Sequence, residues 1–337
     1  MENGKSPNPI RVAVLSSASA GGAGIAARRI ADALNRRSDV QADFIDMDTL
    51  GQRLPTDAAP DGNMNNGRWS DTHFTIEYPG VVRGWVTRLL ASYDVVNVHW
   101  ASYLIGLAEL DELSRIGVPL VFTMHDFYYT TGGCHYPAGC TRAERGCVGC
   151  PQVDGARCFP EVVPENRRLK ERIFARSNVY MAAPSSFVVE KALTTGIGDR
   201  SRSAVLRNAY DPLQAVETDK PEGIVRVVLM AESFVERRKG MNMAIAAIRE
   251  FNERVEQDAS SNTVEVDLIG ASAEAAGKLL EQGGVKYCAH GKISDHEKIV
   301  SVIADCHLLL TCSQEDNWPN VLVEAGSYGV IPVVGPG

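Results

Sequence analysis

Apolar and polar positions along this chain fall into two recurring patterns. Short continuous apolar runs read as strands buried on both faces, and longer stretches with apolar residues at helical spacing read as helices between them. The first run, "RVAVLSS" (residues 11–17), passes through the small-residue loop "ASAGGAG" into "IAARRIADALNRR", where Ile30 and Leu34 share a helical face. "QADFIDMD" supplies a second strand. "YDVVNVHW" (93–100), a helix through "LIGLAELDELSRIG" and the strand "VPLVFTMHD" (118–126) follow. Strands alternating with helices predict a parallel sheet. Between them, residues 54–77 are rich in Pro, Asn, Asp and Gly without a sustained period, which predicts a long surface excursion.

The alternation resumes with the helix "ENRRLKERIFARS" and the strand "NVYMAAPSS". It breaks at "VLRNAYDPLQAVETDKPEG" (205–223), the predicted interdomain linker. Beyond it lie the strand "IVRVVLMA", the helix "GMNMAIAAIREFNERV", the strands "TVEVDLIG" and "GGVKYCAHG", and the helix "SDHEKIVSVIADC". Last comes "HLLLTCSQEDNWPNVLVEAGSYGVIPVVG". Here "HLLLTC" is a buried strand and Pro319 suits a first helical turn. Gly329 fits the helix end, and "VIPVV" is a further buried strand. The predicted architecture is two doubly wound α/β domains in series with a cleft between them: 1–205, a linker over 206–223, and 224–337. No short internal repeat is present.

Length and composition bound the function. A chain of 337 residues with 45% hydrophobic and 23% charged positions can bury two cores. A net charge of −8 and a pI near 5.5 argue against a general nucleic-acid binder. The N-terminal "MENGKSPNPI" lacks an apolar signal region and no run reaches transmembrane length, so the expectation is a soluble cytoplasmic protein. Eight cysteines then read as thiols or metal ligands rather than disulfides.

Four local patterns carry candidate chemistry. In "GGAG", Gly21 and Gly22 open a helix after a strand, so backbone N–H groups there can approach an anion with the helix dipole behind them; such glycines also serve plain tight turns. Asp46, at the end of the second strand, keeps a dinucleotide site open as a rival. In "ERRKG", Arg237, Arg238 and Lys239 follow a strand of the second domain, where cations can neutralise phosphate; the bland alternative is a solvated turn. Asp316 and Glu324 flank the start of the last helix, in the turn after a strand and about two turns along. Ligands collect at the carboxyl ends of parallel strands, although acids there also merely complement a dipole. Finally, the segment around 125–158 holds Cys134, Cys140, Cys147 and Cys150 in the spacing C-x5-C-x6-C-x2-C, with Cys158 beyond. Only the last pair has knuckle spacing, so a structural zinc site and unmetallated cysteines packing a loop both stand.

Taken together, "GGAG", "VNVHW", "FTMHDFYYTTGGCHY…C…C..CP", "APSSFV", "LRNAYD", "RRKG" and "EDNWPNVLVEAGSYGVIPVVG" run in order from residue 11 to 335. With them the chain resembles the retaining, nucleotide-sugar-dependent glycosyltransferases of family 4 (group 1), which have the GT-B fold. The subgroup is the one of bacterial exopolysaccharide, capsule and lipopolysaccharide synthesis.

The resemblance implies that Asp316 binds sugar hydroxyls, Glu324 the nucleotide ribose, and Lys239 the diphosphate, with Gly21, Gly22, Asn317 and Asn320 also on the donor. Asp316 stands where the family has Glu, one methylene longer. The family's arginine before the lysine is replaced by Ser233, so Arg238 or Arg237 is expected to supply that charge. His125 matches the active-site histidine that contacts the sugar. The implied reaction is a front-face, retaining sugar transfer of the hexosyltransferase type from a UDP- or GDP-sugar to a glycan or lipid-linked acceptor. It needs no catalytic metal and no nucleic acid, and allows peripheral contact at the inner face of the membrane. The rivals are a nucleotide-sugar epimerase, a nicotinamide dehydrogenase using "GGAG" and Asp46, and a non-catalytic zinc-knuckle module. Because the chain stops just after "VIPVV" with no helix to cover that face, it is expected to be a truncated form with an incomplete second domain.

Overall fold

The computed structural model describes residues 8–17, 19, 21–51, 73–77, 83–153, 160–208, 210, 220, 222–257 and 262–335. The chain divides into two compact units, Met1–Ala209 and Tyr210–Gly337. The division falls within the 206–223 segment, of which 209, 211–219 and 221 lie outside the described residues, as does most of the 54–77 excursion.

In the first unit the elements run β1 (Ile10–Leu15), α1 (Gly21–Asn35), β2 (Val40–Ile45), α2 (Met47–Gly51), α3 (Gly84–Leu90), β3 (Val95–Val98), α4 (Leu107–Arg115), β4 (Leu120–Thr123), α5 (Val162–Phe174), β5 (Val179–Ala183), α6 (Ser186–Thr194) and β6 (Ser203–Val205). They form one six-stranded sheet of order β2-β1-β3-β4-β5-β6, parallel throughout. Both faces of β1 are covered. Val12 and Val14 pack with Ala27 and Ala31 of α1, whereas Ala13 and Leu15 join the large core on the other side. That two-sided burial is why the run reads as continuously apolar. Each such Val or Leu contributes about 1.5–3 kcal/mol of burial.

The second unit runs β7 (Ile224–Ser233), α7 (Met241–Gln257), β8 (Thr263–Ala271), α8 (Ala273–Glu281), β9 (Lys286–Gly291), α9 (His296–Ala304), β10 (Leu308–Thr311), α10 (Asn320–Ser327) and β11 (Ile331–Val334). Its five strands are parallel in the order β11-β10-β7-β8-β9. Val227, Leu229, Val266 and Leu268 face α7 and α8, and Val228, Ile269 and Leu309 face the opposite core.

The sequence pattern did not assign α2, α3, α6, α8 or β6. Helix α8 contains Gly277, which weakens helical propensity, because a Cβ there would meet the Tyr287 ring at 2.1 Å. The expected burial of "VIPVV" also fails. Among the described residues β11 is an edge strand paired to β10, and Ile331, Val333 and Val334 are 63%, 41% and 59% exposed.

Candidate functional site

In an open parallel sheet the crevice lies at the carboxyl ends of neighbouring strands whose connections leave in opposite directions. In the second unit those strands are β7 and β10, since β7 continues to β8 on one side and β10 to β11 on the other. The turn after β7 carries Arg237, Arg238 and Lys239, and the turn after β10 carries Asp316 and Asn317. Gly240 brings the two turns together. Its φ is +62°, and a Cβ would stand 1.8 Å from the Cys312 carbonyl oxygen, so only glycine permits this approach.

As a result Lys239 Nζ donates to Asp316 Oδ2 at 2.6 Å, with the two side chains 20% and 15% exposed. Arg238 lies 3.6 Å from the same carboxylate, donates to the Glu315 carbonyl oxygen at 2.9 Å and pairs with Glu236 at 2.9 Å. Arg238 therefore shapes the Asp316 turn as well as adding charge to it. Ser233, where the resemblance leads one to expect arginine, accepts the Val235 N–H at 3.4 Å and contributes no cation. Asn317 is buried. Asn320 opens α10 and Glu324 follows four residues later on the same face, little more than one turn into the helix rather than two.

In the first unit the corresponding strands are β1 and β3. Their ends are tied by His99 N–H to Leu15 O and Ser17 N–H to Trp100 O, at 2.9 and 2.8 Å. Gly21, with φ +75° and open space around its Cβ position, and Gly22 are exposed at the start of α1. Asp46 is not presented to a ligand: its Oδ1 accepts from Thr49 N and Oγ1 at 2.8 and 2.7 Å, capping α2. The dehydrogenase reading loses its ribose acid to that cap.

His125, just beyond β4, is paired with a residue that sequence reasoning passed over. Its Nε2 lies 2.7 Å from Nδ1 of His99, just beyond β3, and the rings stack with centroids 5.0 Å apart. Burial pushes His125 down to about 4, and burial together with His125 holds His99 well below the ordinary range. Both imidazoles are neutral at pH 7, and His99 Nε2 is buried without a hydrogen-bond partner. Both histidines close apolar runs on adjacent parallel strands, which is the signal that could have linked them.

Beside this pair lies a second network. His135 Nδ1 lies 2.6 Å from Asp126 Oδ2 and 2.9 Å from the donating Trp100 Nε1–H, and its Nε2 shares a hydrogen bond of 2.9 Å with the Thr75 hydroxyl. Burial opposes ionisation of Asp126, but the charge and hydrogen bond of His135 prevail and hold it below the ordinary carboxylate range. Lys170, fully buried, donates to Tyr128 O and Thr131 O at 2.6 and 3.0 Å and sits 3.5 Å over the Tyr128 ring, fixing the turn that follows Asp126.

That turn leads into the cysteines. Cys134, Cys140, Cys147 and Cys150 all line one cavity of about 20 Å³. Cys134 and Cys150 share a hydrogen bond. Among the described residues the trio whose ligand atoms lie within 4.8 Å of one another is instead Asp267, Cys288 and His290, and no three of the four thiols are gathered that closely. In the trio, Asp267 is already engaged by Arg226 at 3.0 Å and His290 at 2.7 Å. Cys158 lies outside the described residues.

The two parallel sheets and their turns define the class: the chain has the GT-B fold of two Rossmann-like units. The solved apo form of the lipopolysaccharide outer core galactosyltransferase WaaB matches 97% of this chain and 82% of its own, with 12% identity and a TM-score of 0.53. A trehalose-6-phosphate structure from E. coli bound with UDP-2-fluoro glucose matches 96% of this chain and 84% of its own, with 12% identity and a TM-score of 0.54. At such identities the likeness shows the fold. In sequence the chain is similar to WcaC of Escherichia coli (strain K12), named a colanic acid biosynthesis glycosyl transferase, at 24% identity over 259 residues. The match takes in 72% of this chain and spans 58% of that relative's length. No protein-family model matches the chain.

Proposed function

We propose that the protein is a retaining glycosyltransferase of cell-surface polysaccharide synthesis, moving a sugar from a nucleoside diphosphate to a glycan or lipid-linked acceptor. The observation that carries this reading is the meeting of Lys239, Arg238 and Asp316 at the β7/β10 strand ends, with Asn320 and Glu324 along the adjoining helix. Lys239 takes the diphosphate, Glu324 the ribose hydroxyls and Asp316 the sugar hydroxyls. Because Asp316 holds Lys239 at 2.6 Å, an incoming diphosphate exchanges places with it: the phosphates take the ammonium, and the released carboxylate turns to the sugar.

As the bond from the sugar to the diphosphate breaks, negative charge grows on the leaving oxygen, and Lys239 and Arg238 are the donors that meet it without a catalytic metal. His125, neutral at pH 7, contacts the sugar as a hydrogen-bonding group rather than as a cation. Gly21 and Gly22 at the start of α1 offer backbone N–H groups to an anionic part of the donor or acceptor. UDP is favoured as carrier by the UDP-2-fluoro glucose bound in one structure of the same fold, with GDP as the alternative. No helix of the described residues is long and apolar enough to cross a membrane, and a lipid-linked acceptor would be met by peripheral contact at the inner membrane face.

The test is a panel of radiolabelled UDP- and GDP-sugars with membrane lipids as acceptor. One donor should label a lipid-extractable product, with the anomeric configuration of the donor retained. Interconversion of the free nucleotide sugar without transfer would instead identify an epimerase.

A further inference from the structure

Beyond the transfer reaction, we propose that Cys134, Cys140, Cys147 and Cys150 hold one structural zinc ion, and that this site fastens the segment on which the Asp126–His135 network is built. Three independent observations carry the site. The first is convergence. Four sulfurs separated by up to sixteen positions in the sequence line a single cavity of about 20 Å³, room for one small ion. The second is the direction of the backbone around the sulfurs. Gly132 N–H donates to Cys147 Sγ at 3.2 Å, so a backbone donor is aimed at sulfur as it is at a thiolate. Cys147 itself takes a left-handed φ of +60°, a costly conformation for a side-chain-bearing residue that the tight turn between Gly146 and Gly149 imposes.

The third observation is charge. The Arg167 side chain is 1% exposed, its Nε is buried without a hydrogen-bond partner, and it acts electrostatically on Cys147, while Arg142 acts on Cys150. Arg167 pairs with Glu171 at 2.7 Å, but that carboxylate is 45% exposed, so the screened pair leaves a positive field on the sulfur side of the guanidinium. Four thiolates around one Zn²⁺ carry a net charge of −2, which these two arginines offset in part. Tetrahedral coordination at about 2.3 Å from zinc would gather the four sulfurs into one cluster.

The consequence for the site follows from chain connectivity. Cys134 pairs with Phe74 across an isolated antiparallel bridge and directly precedes His135, whose imidazole holds Asp126 next to His125. Val163 and the Cys147 side chain also press on Gly132, where a Cβ would stand 2.4 Å from Val163 Cγ1. The ion thus fixes the segment that supports the histidine pair and takes no part in the chemistry.

The experiment is metal analysis of the purified protein, with Cys147→Ser, Cys150→Ser and Cys288→Ser variants beside the wild type. The wild type and Cys288→Ser should carry about one equivalent of zinc, and Cys147→Ser and Cys150→Ser should lose most of it. Should those variants fail to fold, cobalt(II) added to chelator-treated wild type should give the visible absorption of tetrahedral cobalt thiolate and protect four thiols from alkylation. Metal at background with no cobalt thiolate band would overturn the site. So would zinc that is lost with Cys288→Ser, since it would then reside with Asp267 and His290.

Discussion

Lys239 and Asp316, 77 positions apart in the sequence, form a hydrogen-bonded ion pair of 2.6 Å at the strand ends where β7 and β10 diverge. The pair makes Asp316 a competitor of any diphosphate for the same ammonium. Asp316→Asn should therefore tighten binding of the nucleoside diphosphate product up to about fivefold, about 1 kcal/mol, the worth of a partly exposed pair. The same change should lower turnover, because the product lacks the sugar that Asp316 holds. Calorimetry and a transfer assay read the two effects, and a loss of diphosphate affinity would place Asp316 on the nucleotide instead.

Glu324 is assigned to the ribose. Glu324→Ala should weaken nucleoside diphosphate binding by about 1.5–3 kcal/mol per hydrogen bond lost. The 2′-deoxy and 3′-deoxy nucleotides should bind the wild type more weakly but be insensitive to the substitution. Additive losses would separate Glu324 from the ribose.

The turn geometry makes Gly240 indispensable. A Cβ placed 1.8 Å from the Cys312 carbonyl at a left-handed φ must displace the β7–α7 turn. Gly240→Ala should cost about 2–5 kcal/mol and disorder Lys239. A thermal melt unchanged from wild type would mean that the two turns do not approach as described.

The neutral histidine pair predicts an acid limb. In the unfolded chain His125 binds its proton near pH 6.5, and in the folded protein only near 4. The unfolded state therefore binds more protons between those values. Stability unaffected by His125 above pH 6.5 should fall as the pH drops toward 4 and level off below it, by about 3 kcal/mol at most from this residue. His99, depressed for the same reason, adds to the same limb. Urea titrations across this range should show the decline, flattened in His125→Gln.

How far this was legible in the sequence depends on the physics of each part. The strands at "RVAVLSS", "VPLVFTMHD" and "IVRVVLMA" were readable because two covered faces demand uninterrupted apolar residues. The exposure of β11 was not, since an edge strand can carry the same Val and Ile residues as a central one. Helix α8 was hidden by Gly277, whose missing side chain serves Tyr287 rather than the helix. Asp316, Lys239 and Glu324 stood out through their motifs, but their ion pairing depends on strand order, which no local pattern encodes. His99, His135 and Lys170 went unassigned because a buried polar residue looks ordinary until its partners are known. Asp46, conversely, suggested a ribose acid and proved to be a helix cap.

The donor site itself is tested most directly by titrating UDP, GDP and their monophosphates into the wild type and Lys239→Ala. One diphosphate should bind the wild type at least tenfold more tightly than it binds Lys239→Ala, the worth of a charge-assisted bond of about 1.5 kcal/mol or more, while its monophosphate changes little. Equal diphosphate affinity in the two proteins, or no binding of either diphosphate to the wild type, would contradict the assignment of the β7/β10 strand ends as a nucleotide-sugar site.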